Sequence, residues 1–124
     1  MSKIIVNHNI KSTLENEEIK NKKGILKDNT IIYNYAGIMI SVKIFKNKVF
    51  LERENEDVKI CLEFEENKSI VTKYVIKDMK LEIKLESKTK KLIINDHNIE
   101  VEYDLFMNGE FSDSFKYEVE WSDL

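Results

Sequence analysis

The chain has 124 residues, 42% of them hydrophobic and 35% charged, a balance that supports a folded core and excludes intrinsic disorder. Its 20 basic and 23 acidic residues give a net charge of −3 and a pI of about 5.5, the wrong sign for a nucleic-acid-binding surface. A single cysteine excludes an internal disulfide, and no apolar run approaches the length of a membrane-spanning helix.

The amino-terminal MSKIIVNHNIKS lacks the apolar segment and small-residue cleavage site of a secretory signal. The expectation is therefore a soluble, cytoplasmic chain with one domain over residues 1–124. Abundant Lys, Asn and Ile with a single arginine point to an AT-rich bacterial genome.

Residues 3–11, KIIVNHNIK, alternate, with Ile4, Val6, His8 and Ile10 on one face. Residues 12–18, STLENEE, read as a turn into a second strand that passes through Gly24 and Ile25. TIIYNY at 30–35 is a β-branched and aromatic strand broken by Ala36-Gly37. IMISVKIF at 38–45 is nearly continuous in apolar residues, which predicts a strand covered on both faces. A tight turn at Asn47 precedes KVFLERE, and Glu54-Asn55-Glu56-Asp57 forms the next turn.

In VKICLEF, Val58, Ile60, Leu62 and Phe64 face inward and Cys61 outward. Ile70, Thr72, Tyr74 and Ile76 alternate after the turn at Glu66-Asn67. KLEIKLE from Lys80 places Leu81, Ile83 and Leu85 inward, and Leu92–Ile94 reads as a separate short strand before a turn at Asn95-Asp96-His97. The clusters Lys20–Lys23 and Lys88–Lys91 read as solvated turns and strand ends.

The last stretch is the clearest. Ile99, Val101, Tyr103 and Leu105 alternate with acidic residues; after Asn108-Gly109, Phe115, Tyr117, Val119 and Trp121 do the same. Asn-Gly between two alternating runs is the strongest short-range hairpin signal, because both turn residues need positive φ. With no proline to interrupt them and no helical periodicity between them, these segments predict one antiparallel β-barrel of about eight to ten strands. An open two-sheet sandwich is the alternative.

The order of segments resembles the YwiB-like family of small bacterial proteins. The resemblance rests on Gly24 after the second strand, on VKIFKNKVFLER ending in Arg53, on LEIKLESKT and on IEVEYDLFMNGE with a closing aromatic strand. It covers nearly the whole chain, and Val101-Glu102-Tyr103-Asp104-Leu105 before Asn108-Gly109 is its most specific part. It implies a calycin-like (lipocalin-like) barrel and brings no established activity. The family pattern has glycine where this chain has Asn55 and about where it has Met79, and threonine about where it has Leu85. Asparagine also tolerates positive φ, so the turn at Asn55 is expected to survive.

Chemistry is sparse in the sequence. Arg53 shares a strand face with Val49 and Leu51, so it can point into the barrel and present a planar fork to an acidic head group. The commoner role is a salt bridge, with carboxylates among Glu52–Asp57 or across the sheet. His8 can be a general base or a ligand-binding donor, though a buried, hydrogen-bonded histidine is the commoner outcome. Two isolated histidines and one cysteine lack metal-ligand spacing, and no cofactor motif occurs.

No histidine base adjoins Cys61, which reads as an inert thiol. The conspicuous acidic residues fall at outward positions, so no catalytic carboxylate pair stands out. Tyr74, Tyr103, Phe115, Tyr117 and Trp121 face the lumen, either as filling or as a pocket wall.

Three functions are compatible with this pattern. The leading one is a non-catalytic binding protein for a small, partly apolar, potentially anionic ligand, held by Arg53, His8, Tyr74, Tyr103, Tyr117 and Trp121. The second is a protein–protein module, potentially a homodimer, that uses the outer wall at IMISVKIF. The third is an enzyme of unknown class.

Overall fold

A computed structural model describes residues 1–124. It contains ten strands: β1 (Ser2–Ser12), β2 (Asn16–Lys27), β3 (Thr30–Tyr35), β4 (Ile38–Ile44), β5 (Lys48–Glu54), β6 (Val58–Glu65), β7 (Ser69–Ile76), β8 (Leu81–Ile94), β9 (Asn98–Met107) and β10 (Glu110–Asp123). Each pairs antiparallel with the next, and β10 returns to pair with β1, so the sheet is a closed barrel with no free edge. No helix is long and apolar enough to cross a membrane.

Short turns with left-handed residues join the strands. Asp28 and Asn29, Ala36 and Gly37, and Asn108 and Gly109 all have positive φ, as two-residue hairpins require. The turn at Asn55 survives by other means than expected. Asn55 is not left-handed; its Oδ1 accepts the backbone N–H groups of Asp57 and Val58, and this local Asx hydrogen bonding sets the bend.

The inward faces of β1, β9 and β10 are those the alternation predicts. Ile4, Val6, His8, Ile99, Val101, Tyr103, Tyr117, Val119 and Trp121 are all buried. Other segments differ. The stretches at 80–86 and 92–94 form one strand, β8, with a bulge between Thr89 and Lys91. A bulge inserts one residue and shifts the side-chain alternation. Lys90 and Lys91 therefore both face solvent, and Leu92 and Ile94 return inward opposite Val101 and Ile99. Both lysine clusters lie within strands, not in turns.

IMISVKIF is not covered on both faces. Ile38, Ile40, Val42 and Ile44 point in, while Met39 and Lys43 are exposed on the outer wall. Cys61 does face outward, yet it is buried, beside Glu52 on the neighbouring strand. Burial and the Glu52 carboxylate push its thiol pKa up, so the thiolate is disfavoured.

The lumen is packed unevenly. At the end that carries the chain termini and the turn at 28–29, Ile4, Val6, Ile31, Val42, Val49, Phe64, Ile99 and Val101 are fully buried. Toward the opposite end, with turns at 13–15, 36–37, 55–57 and 108–109, Ile10, Ile38, Ile60, Leu105 and Phe115 are only partly covered. The rim of the first end is likewise only partly covered at Leu26, Ile44, Leu92 and Ile94, but the layer beneath it is solid, so that end is plugged, whereas the opposite end opens onto a cavity.

Gly24 tightens the plugged half. A Cβ there would lie 2.7 Å from the Ile32 carbonyl oxygen, 3.2 Å from Tyr33 Cβ and 3.3 Å from Val6 Cγ2. Backbone cannot move aside as a side-chain tip can. Gly24→Ala is expected to cost about 2 kcal/mol through overpacking, measured by urea denaturation; an unchanged midpoint would refute the close approach.

Candidate functional site

Inside the barrel a polar chain runs through the middle layer. Glu17 and Ile19 face in from β2, opposite Ile10 and His8 of β1. A bulge between Val6 and His8, with Asn21 of β2 left-handed at φ 53, then shifts the pattern along β2. Arg53 points in from β5, as expected from Val49 and Leu51. Its partner is neither a neighbour in sequence nor on an adjacent strand. Arg53 reaches Glu17 across the lumen, with Nη1 2.9 Å from Oε1 and Nη2 3.2 Å from Oε2, a bidentate pair.

Glu17 also accepts from His8, whose Nε2 lies 2.8 Å from Oε1. His8 Nδ1 is 2.7 Å from the Tyr33 hydroxyl, which is 3.0 Å from the Tyr117 hydroxyl. The donors can be assigned by elimination. An ionised Glu17 only accepts, so His8 Nε2 carries the proton. Nδ1 then accepts from the Tyr33 O–H, and Tyr33 Oη accepts from the Tyr117 O–H. The chain runs in one direction, from Tyr117 through Tyr33 and His8 to Glu17.

Electrostatics fix these states. Burial would raise the Glu17 carboxyl pKa, but the Arg53 guanidinium and the His8 bond overcome it and hold the acid below its usual range. Burial pulls His8 below the ordinary 6.5 despite its bond to Glu17, so the imidazole is neutral at pH 7. Burial also raises Tyr33 and Tyr117, which stay protonated.

A stability consequence follows for His8. Because its folded pKa is depressed, the unfolded chain takes up a proton below pH 6.5 that the folded chain resists. Stability is therefore full above 6.5 and declines as pH falls toward the folded pKa. His8→Gln is expected to flatten the slope of unfolding free energy as pH falls below 6.5. Urea titrations of both proteins at several pH values test this, and an unaltered slope would rule it out.

Beside the polar chain, at the open end, lies a pocket of about 290 Å³. Its walls are mainly apolar, from Ile10, Ile38, Leu51, Ile60, Leu105 and Phe115. Glu15, Glu17, Arg53 and Glu54 supply its charged edge, and Tyr103 part of its floor. The rings of Phe115 and Tyr103 in its lining pack in a run with Phe64 beneath, with centroid separations of 5.3 and 4.5 Å.

Of the residues singled out from sequence, His8, Arg53 and Tyr117 meet in one network and Tyr103 lines the pocket. Tyr74 is partly buried on β7, opposite Ile60 and Ile83, and is not a pocket residue. Trp121 lies in the plugged half, opposite Val6 and with its ring 6.2 Å from that of His97. Two residues were missed. Glu17 falls in the charged stretch STLENEE that reads as a turn, outside the conspicuous acidic residues expected to face out; the signal is its even spacing from Ile19. Tyr33 lies in TIIYNY, whose sequence does not mark an inward face, although Ile31 shares its parity.

A closed antiparallel barrel, plugged at one end and open at the other onto a mainly apolar pocket, is calycin-like in architecture. The family model described as "Domain of unknown function (DUF1934)" matches residues 4–119, and the chain belongs to this family. The crystal structure of the ywiB protein from Bacillus subtilis superposes with a TM-score of 0.61 over 98% of this chain and 90% of that one, at 16% sequence identity. At that identity the likeness establishes a shared fold. A search of curated proteins finds no match.

Proposed function

We propose that the protein is a non-catalytic binding protein that holds a small, partly apolar molecule in the open end of its barrel. The observation that carries this reading is the pocket of about 290 Å³ beside Arg53 and Tyr103. It is at the small end of ligand-pocket sizes and has the usual makeup of apolar walls with a few convergent polar groups. A catalytic acid or base works best with a pKa near the operating pH. The charged pair facing this pocket is tuned the other way, Glu17 downward and Arg53 upward.

The test is native mass spectrometry of protein purified gently from its host. A retained small molecule is expected, and it should be absent from Leu105→Trp, whose indole would occupy the pocket. Protein that emerges bare, and is not stabilised by any compound in a thermal-shift screen, would overturn the reading.

Docking of a partner protein on the outer wall is the second reading. Ile25, Ile32, Met39 and Leu124 form an apolar groove there between Lys3 and Lys23. The pocket is favoured because it combines apolar walls with a hydrogen-bonded charged pair, whereas the groove is lined mainly by aliphatic side chains flanked by lysines.

A further inference from the structure

Three features of the open end bear on what kind of molecule would fit it. The first is Tyr103. It is 4% exposed and lines the pocket, yet its hydroxyl makes no hydrogen bond within the protein. The residue is buried as a whole, but the hydroxyl oxygen is not sealed in: it opens onto accessible space. The pocket is where a partner would be.

The second is Arg53. Glu17 takes one N–H from each terminal nitrogen. The Nε–H and the second N–H of each terminal nitrogen have no acceptor in the protein, and the Arg53 side chain is 17% exposed at the pocket wall. Tyr103 and Arg53 thus offer donors to whatever enters.

The third is the charge around them. Glu17 already compensates Arg53. Glu15 and Glu54 add two further carboxylates at the mouth, and only Glu54 is answered, by Lys77 at 2.7 Å. An anionic head group would bring a carboxylate against Glu17 to share one guanidinium. A cationic head group could pair with Glu15 only at the mouth; deeper, beside Tyr103, it would stand against the like charge of the Arg53 guanidinium.

We infer that the pocket selects an uncharged molecule with an apolar body and a hydrogen-bond acceptor head of the amide, ester or ketone carbonyl class, bonded by the Tyr103 hydroxyl and the free N–H groups of Arg53. This replaces the anionic head group expected from Arg53 alone. The inference rests on the open end being a binding pocket, so its test separates the two claims.

Octanamide, octanoate and octylammonium share one chain and differ in head-group charge. Isothermal titration near neutral pH is expected to show octanamide binding at least about tenfold more tightly than either ion. Tyr103→Phe should weaken octanamide about fivefold, the equivalent of one lost hydrogen bond. Two-dimensional NMR of the wild type should place the perturbed resonances at Ile10, Ile38, Leu105 and Phe115. Octanoate binding as tightly as octanamide, or Tyr103→Phe leaving octanamide affinity unchanged, would overturn the head-group assignment while the pocket stands. If none of the three compounds binds, the binding reading fails as well.

Discussion

Replacing Glu17 with methionine is expected to lower stability by about 3 kcal/mol, the low end of the cost of breaking a buried ion pair. The mechanism is orphaned partners. Arg53 would keep its charge, 17% exposed, with no carboxylate to face, and the His8 Nε2–H would lose its only acceptor. The low end applies because the Glu17 side chain is itself 33% exposed, so water can answer part of the loss.

The decisive comparison is the double variant Glu17→Met with Arg53→Met. A buried pair exchanged for apolar side chains of similar volume is often neutral in stability. The double variant should therefore recover the share owed to the unpaired Arg53 and stand above the single Glu17→Met, while remaining about 1–2 kcal/mol below the wild type because the His8 Nε2–H still lacks its acceptor. Urea unfolding followed by the fluorescence of the buried Trp121 reads both. A double variant less stable than the single would mean that Arg53 is held by something other than Glu17.

Phe64→Ala carries the other large effect, a loss of about 4 kcal/mol. Phe64 is fully buried in the plugged half, opposite Val49, with its ring packed on Tyr103. Its removal deletes apolar area and leaves a hole that the surrounding strands cannot close, since each is pinned on both sides by hydrogen bonds. The hole would open beneath Tyr103, beside the open-end pocket. Phe64→Leu, which refills much of the space, should recover more than half of the loss. Thermal and urea unfolding measure the series, and an alanine variant within about 1 kcal/mol of the wild type would contradict the packing described.

The faces of the last hairpin were legible in the sequence because nothing disturbs them. Ile99 to Leu105 and Phe115 to Trp121 keep a strict two-residue period, and Asn108-Gly109 names its own turn. The closed barrel could be argued from the same regularity. Bulges limited the reading elsewhere. In β8 the extra residue near Lys90 shifts the alternation, so one strand looked like two pieces with a basic turn between them.

In β2 the irregularity at Asn21 divides Glu17 and Ile19 from Gly24 and Leu26, and lysines fill the gap. Half of the candidate site was thereby hidden. Arg53 could be assigned to the lumen from its own strand, but its partner comes from a strand three places away around the ring. No local pattern encodes a contact across a lumen. Tyr103 was legible as an inward residue, whereas its free hydroxyl is a property of what surrounds it.

The pairing of β1 with β10 also bears on how the molecule is made. Every other strand meets its partner through a short turn, so those contacts are local and quick to form. The seam between Ile4–Ser12 and Phe115–Asp123 joins the first strand of the barrel to the last. On the ribosome, the first strand is synthesised long before its second neighbour, and its outer row of amide and carbonyl groups stays bare until the final segment emerges. Partly synthesised chains would carry an open, sticky border, and a carboxy-terminal truncation would make that border permanent.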